Sequence, residues 1–330
     1  MNVMLLAAGE GTRLRPYTNQ LPKPAIPFLT VPLAAHSLSF LQEVGIEKLV
    51  VNTYHLPEKI HSLFHRINHG AKELHFSDEV GEILGSGGGL SRARKYFKDG
   101  GDFIMMNADE VILPVDSEVL TKAIAQHRSS GALATLMVMD HHEVGTKFGG
   151  VWTDSNGNIK GFGKTKIEDC DKAWHFIGVQ ILSERIFDYL PKDGVSNILY
   201  DGVMAGLNKG EKAAVYPFEC TWFETGNPAD LIEASEHCIK VMMNDDSPAK
   251  RALQKTFNQF ASSRIVTQKF NDACLHFSSE AIINNESKFS GFVCAGPGTE
   301  IGKNCSLENV IIGDGVHVAD GTIASNTLFL

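Results

Sequence analysis

A chain of 330 residues exceeds the usual size of one domain, so one large domain with a smaller appendage is expected. Hydrophobic residues at 43% and charged residues at 21% suit a globular core and argue against disorder, and no apolar run approaches the ~18 residues needed to span a bilayer. A formal net charge of −9 argues against a general nucleic-acid binder, so any polyphosphate must meet a local basic patch.

The opening Met1-Asn2-Val3-Met4-Leu5 lacks the basic stretch of a signal peptide, and the cytoplasm is the expected compartment. Residues 3–8, Val-Met-Leu-Leu-Ala-Ala, form an unbroken apolar run ending in glycines, which reads as a buried parallel strand opening into a loop. A helix over 34–44 stopped by Gly45 precedes a strand over 48–52. Pro57 opens and Gly70 closes a helix with Ile60, Leu63, Phe64 and Ile67 on one face. A strand over 103–106, a helix over 118–128 and a strand over 132–139 follow. This rhythm implies a mostly parallel sheet with helices on both faces.

The middle changes character. Ser155-Asn156-Gly157 between two alternating segments signals a hairpin over 149–162. Helices are expected over 183–189 and 196–209, and a longer one from Pro228 to Met243. Asp245-Asp246-Ser247-Pro248 reads as the boundary between a domain over 1–245 and a linker helix with a C-terminal domain over 246–330. In the latter a six-residue period runs through Phe289, Ala295, Ile301 and Leu307, then after a one-residue slip through Ile312, Val318 and Ala324. Such hexads are the mark of a short parallel β-helix. Its open end and sheet edge favour self-association into a homo-oligomer. The six cysteines lie far apart without a CxxC pair, which points to buried thiols rather than zinc or disulfides.

The strongest local signal is Leu6-Ala7-Ala8-Gly9-Glu10-Gly11-Thr12-Arg13-Leu14-Arg15-Pro16 with Pro22-Lys23-Pro24. Glycines after a buried strand let backbone N–H groups approach phosphate oxygens, and Arg13 and Lys23 add fixed positive charge. A Walker loop needs Gly-Lys-Ser/Thr where the chain has Thr12-Arg13-Leu14. A dinucleotide fingerprint needs a third glycine at Leu14 and an acidic end to the second strand, which instead reads Asn52-Thr53-Tyr54. A plain glycine turn with solvated arginines accounts for the glycines but not for Pro-Lys-Pro.

Together these stretches resemble the signature of the sugar-phosphate nucleotidylyltransferases, over about residues 1–240, and a hexapeptide tail is a common appendage of that family. The resemblance implies an α/β, Rossmann-like, mostly parallel sheet with an inserted hairpin region and a short left-handed β-helix. It implies a catalytic role for Arg13 at the β- and γ-phosphates, for Lys23 at the α-phosphate, and for Asp109. Leu6, Ala8, Gly9, Gly11 and Thr12 would hold the nucleotide, joined by Gly87 and Gly88 of the turn Glu82–Leu90, which is similar to the family's base- and ribose-binding turn.

Asn107-Ala108-Asp109 follows an apolar strand, where ligands bind in open α/β sheets, though an aspartate there can also merely cap a turn. It resembles the family's metal-binding aspartate. Trp222-Phe223-Glu224-Thr225-Gly226 resembles the second metal motif, with Glu224 where aspartate is usual. Mg²⁺ is the implied cofactor. For the sugar phosphate the resemblance implies Gly149, Lys164, with Gly163 in place of the usual glutamate, and Gly178. NTP and a sugar 1-phosphate are the implied substrates, with GTP and a mannose- or heptose-type phosphate favoured over a UTP-dependent N-acetylmuramate-1-phosphate uridylyltransferase. A nucleotide-sugar-binding regulatory subunit is the reading from another class, favoured by the departures at Gly163 and Glu224.

Overall fold

In the computed structural model, residues 1–98, 100–244 and 246–330 are described; the expected boundary at Asp245 lies outside them. The apolar run at the start forms the strand Asn2–Leu6 at the centre of a nine-stranded sheet. Parallel strands Lys48–Thr53 and Phe103–Asn107 flank it, and Glu73–Asp78 extends the sheet beyond Lys48–Thr53. Beyond Phe103–Asn107 the long strand Lys172–Leu182 runs antiparallel and pairs with Ala134–Met139, itself parallel to Ala213–Pro217.

Because successive residues point to opposite faces and both faces are covered, residues 3–6 of the first strand are all apolar. Val3 and Leu5 point to one face, among Leu38, Ile60 and Phe64 of the helices Leu33–Leu41 and Pro57–Arg66. Met4 points to the other, with Leu90 and Phe97. The sheet is therefore a buried central layer. The hairpin forms as expected, pairing Gly150–Thr153 with Ile159–Gly163, and Pro228–Met243 is one helix. The region expected as a helix over 183–189 is a 3₁₀ segment, Glu184–Asp188, and that over 196–209 begins as a wide π turn, Ile198–Val203. The edge strand Glu73–Asp78 is unanticipated because its polar, half-exposed residues carry little apolar signal.

A second helix, Pro248–Phe260, starts at Ser247, whose hydroxyl accepts the Lys250 N–H at 3.1 Å. After the hairpin Ile265–Phe270 and Ala273–Ser278, parallel strands stack: Lys288–Ala295, Ser306–Ile312 and Ile323–Phe329 form one ladder, and Ile282–Ile283, Glu300–Ile301 and His317–Val318 another. The hexad residues Phe289, Ala295, Ile301, Leu307, Ile312 and Val318 are buried. The one-residue slip lies where the register shifts, since Phe289 pairs Leu307 but Val293 pairs Val310. At that bend Gly291, Asn309 and Asn326 take positive φ, and Asn309 Nδ2 donates to Asn326 Oδ1 at 3.1 Å. Among the described residues no helix is long and apolar enough to cross a membrane.

Two buried imidazoles lie in the seam between these parts. The His36 ring meets Phe28 edge-on at 5.0 Å and Phe257 at 6.4 Å, and His276 lies 4.8 Å from Phe257. Thr30 and Thr267 hydroxyls sit 3.2 and 2.8 Å from the two nitrogens of His276. Burial pulls His36 down to about 4 and His276 down to about 3. In the unfolded chain both protonate near 6.5, so below that pH the unfolded state binds more protons and stability falls as pH falls. Urea unfolding should show a free energy that declines from pH 6.5 towards 4, each histidine contributing up to about 1.4 kcal/mol per pH unit. Replacing His36 by Phe should flatten part of that slope; an unchanged slope would refute its share.

Candidate active site

The site forms because three strand ends align. Leu6 pairs in register with both Asn52 and Asn107, so the carboxyl ends of the three central strands make one row. The chain leaves Leu6 into the glycine loop, where Gly11 has φ +62° and a Cβ would lie 2.9 Å from Thr18 Cγ2. Here glycine is required by both backbone and space.

Two buried side chains hold the loop. Asn52 Oδ1 accepts the Ala7 N–H at 2.8 Å, Asn52 Nδ2 donates to Glu79 Oε1 at 2.8 Å, and Glu79 Oε2 accepts the Leu84 N–H at 2.7 Å. Glu79 thus ties the turn at 84–86 to the phosphate loop across the sheet end. Burial raises its pKa, while the hydrogen bonds from Leu84 and Asn52 favour its charged form. Between loop and turn lies a cavity of about 310 Å³ lined by Leu6, Ala8, Gly9, Gly11, Lys23 and Asp109 on one side and by Ile83, Gly85 and Ser86 on the other.

The structure therefore brings together most of the expected nucleotide residues, with exceptions. Gly87 and Gly88 do not line the cavity: they lie in the helix Gly85–Ala93, where a Cβ on Gly87 would meet Ser196 Oγ at 2.7 Å and one on Gly88 would collide with the Gly194 carbonyl. Their smallness serves helix packing, and Gly85 and Ser86 take the cavity wall. Thr12 is exposed on a 3₁₀ turn and does not line it either.

Of the four expected charged residues, Lys23 and Asp109 line this cavity, whereas Arg13 and Glu224 do not. Lys23 Nζ lies 2.5 Å from Asp109 Oδ2, and Arg13 Nη2 lies 3.3 Å from Glu224 Oε1. The strands Val111–Pro114 and Cys220–Phe223 pair antiparallel, which joins the two acidic motifs. Thr225 Oγ1 then donates to the Asp109 carbonyl at 3.2 Å. Gly226 is small by necessity, since a Cβ there would meet both Glu224 and Arg13. Among the described residues no group of three or more His, Cys, Asp or Glu could hold a metal by itself. Asp109 and Glu224 offer hard oxygen donors, the ligand type a divalent cation takes, and each is paired here with a basic side chain.

Glu110, which sequence reasoning passed over, sits behind Asp109. Its carboxylate accepts Asn107 Nδ2 at 2.7 Å and Trp222 Nε1 at 2.8 Å, and Ser37 Oγ accepts its N–H at 2.9 Å. Burial, then the neighbouring Asp109 charge, raise it to about 7, against those hydrogen bonds and Lys23. Gly178 has φ +76°, and any Cβ there would collide with Glu110 Oε1. The expected sugar-facing glycine thus leaves room for this carboxylate.

The other sugar-phosphate candidates stand apart from the cavity. Gly149 and Lys164 are exposed, with a Cβ on Gly149 only 3.8 Å from the Gly163 backbone, so the two segments adjoin. Beside them His141, Phe148, His175 and Trp222 cluster, and a second cavity of about 170 Å³ runs from His141, Phe148 and Trp222 to Glu224.

Asn52→Ala should leave the Ala7 N–H and a Glu79 carboxylate oxygen buried without partners. Loss of about 1–3 kcal/mol is expected, read as a lower midpoint in thermal unfolding. An unshifted midpoint would show that the bridge does not hold the loop.

Residues 2–241 match the family described as Nucleotidyl transferase. The chain is 30% identical over 244 residues to a UTP–glucose-1-phosphate uridylyltransferase of Synechocystis, a match covering 71% of this chain but only 62% of that relative. It is 26% identical over 326 residues to a mannose-1-phosphate guanylyltransferase of Mycobacterium tuberculosis, covering 98% of this chain and 82% of the relative. Among solved structures, the crystal structure of HddC from Yersinia pseudotuberculosis shares the fold, with a TM-score of 0.57 at 20% identity over 72% of this chain and 98% of that one. With its glycine loop and Asp109 leaving neighbouring strand ends and Lys23 paired to Asp109, this chain belongs to the nucleotidyl transferase family, among the sugar-1-phosphate nucleotidylyltransferases.

Proposed function

We propose that the protein joins an NTP to a sugar 1-phosphate, giving an NDP-sugar and pyrophosphate, with GTP and a mannose- or heptose-type phosphate as the preferred pair. The observation that carries the reading is the cavity in which phosphate loop, Lys23 and Asp109 converge. A sugar-phosphate oxygen attacks the α-phosphorus, the new P–O bond forms as the bond to the bridging oxygen breaks, and pyrophosphate leaves with the electron pair. Lys23 neutralises charge at the α-phosphate, Arg13 holds the β- and γ-phosphates, and N–H groups of Gly9 and Gly11 fix the oxygens. Mg²⁺ held by Asp109 and Glu224 would supply further charge neutralisation at the phosphates. Preference for GTP is supported by a guanylyltransferase relative that aligns through the C-terminal segment, whereas the uridylyltransferase match covers 71% of the chain.

Residues 1–245 carry the chemistry in this reading. Residues 246–330 carry a linker helix and a left-handed β-helix whose last rung, Ile323–Phe329, offers an edge for pairing with a second copy. Pyrophosphate release, screened across the common NTPs and a panel of sugar 1-phosphates, tests the reaction and its base. Lys23→Ala should lower kcat about a hundredfold with a smaller change in the KM for NTP. Glu224→Gln should be nearly as damaging, and Glu224→Asp tolerated; near-wild-type turnover in Glu224→Gln would remove the metal role. NTP binding without turnover on any pair would favour the regulatory subunit.

A further inference from the structure

One buried polar side chain beside the site has no hydrogen-bond partner. His175 is 6% exposed, and neither ring nitrogen has a hydrogen-bond partner. Buried polar groups are almost always paired, so an orphaned imidazole at the edge of an active site needs a reason. Its place in the fold supplies one. Strand Lys172–Leu182 runs antiparallel to Phe103–Asn107, with Val179 opposite Met106, so the half carrying His175 projects beyond the strand end that leads to Asp109.

Around it stand rings rather than partners. Trp222 lies 4.4 Å away, Phe148 4.7 Å and His141 5.3 Å, centroid to centroid. Trp222 is the residue whose indole N–H reaches Glu110, and Glu224 follows it by two positions. Phe148 belongs to a short turn closed on itself, in which the Phe148 N–H donates to the Glu143 carbonyl at 3.1 Å and the Gly145 N–H donates to the Phe148 carbonyl at 2.9 Å. The turn is tied to His141 of the same cluster, which accepts the Glu143 N–H at Nδ1 and the Val144 N–H at its carbonyl, both at 3.2 Å.

We propose that His175 reads a hydroxyl of the sugar, and that the substrate is a neutral pyranose 1-phosphate rather than a sugar bearing a carboxylate. The inference rests on the nucleotidylyltransferase reading above. A neutral imidazole carries one N–H donor and one bare nitrogen, and a hydroxyl can serve either. Trp222 and Phe148 offer aromatic faces to the C–H face of a pyranose. The adjoining cavity sets the charge preference. Its wall carries Glu143, Glu224, Asp230 and Glu233, against Lys147 beside Glu143 and Arg13 beside Glu224. Two carboxylates remain in excess, and a uronic acid or a lactyl side chain would meet like charge there.

Steady-state kinetics on the full chain tests this, with wild type, His175→Phe and His175→Asn assayed on mannose 1-phosphate and on glucuronate 1-phosphate. The Phe variant should raise the KM for mannose 1-phosphate about tenfold or more while leaving the KM for NTP within about twofold, and Asn, which keeps a donor and an acceptor, should recover most of the loss. Should the Phe variant not fold, His175→Leu, smaller and equally without a donor, is read the same way. A sugar KM unchanged in the apolar variant makes His175 a core residue and overturns the assignment. Equal use of glucuronate 1-phosphate by the wild type overturns the substrate class alone. A wild type that releases no pyrophosphate with any pair removes the nucleotidylyltransferase reading, and this inference with it; that result is read before any variant is made.

Discussion

Leu6, Asn52 and Asn107 occupy one register position on three parallel strands, and the geometry of the site follows from that row. A parallel sheet ends with its carbonyl edge facing a crevice, and whatever is placed one or two residues past the edge faces its neighbours across about 5 Å per strand. Past Leu6 lies the glycine loop, past Asn107 lies Asp109, and Asn52 at the row's other side bonds back to Ala7. A slip of one residue in either pairing would reverse the faces of the strand and bring polar Asn2 or Asn107 positions into the apolar layers. The buried alternation of Val3, Met4 and Leu5 therefore does two jobs: it makes the core, and it fixes where the phosphate loop begins.

What could be read from the residues alone divides along the same physical line. The loop, the helix Pro228–Met243 and the buried hexads are local patterns, in which spacing along the chain is spacing in the fold. The Asn52–Glu79 bridge is not local. A polar residue at a strand end signals only that some partner exists, and nothing in the chain says that it is a glutamate on the next strand's exit. Glu110 escapes for the same reason, since its partners Trp222 and Ser37 come from distant segments. The triple glycine at 87–89 misleads in the opposite direction. Glycines near a phosphate loop suggest a ligand's approach, yet Gly87 and Gly88 make room for the backbone at 194–197. Glycine permits closeness without saying to what.

The electrostatics around the candidate site of this acidic protein are arranged by pairing. Lys23 and Asp109 are mostly buried, so their mutual attraction is stronger than that of the exposed Arg13 with Glu224. In the proposed reaction a phosphate entering between them would compete with Asp109 for Lys23, and a cation held by Asp109 would supply compensating charge. The neighbouring cavity carries more carboxylates than cations, with Glu143, Glu224, Asp230 and Glu233 on its wall against Lys147, and it adjoins the ring cluster of Trp222 and His175.

The C-terminal strands also reach this machinery. Tyr17, four residues after Arg13, places its hydroxyl 2.9 Å from Thr327 Oγ1 and 3.3 Å from the Leu328 N–H. Ile26 and Phe28, which follow the Lys23 turn, pack in one apolar cluster with Leu231, Ile239, Phe292, Ile311 and Leu328. The segment from Arg13 to Phe28 is a run of 3₁₀ turns with few backbone hydrogen bonds to the sheet, so its position depends on what packs outside it. Stacked rungs are a stiff support because each is paired to the next along its length. By this route the C-terminal ladder packs against the segment that carries Arg13 and Lys23, and the appendage shares one apolar support with the candidate site.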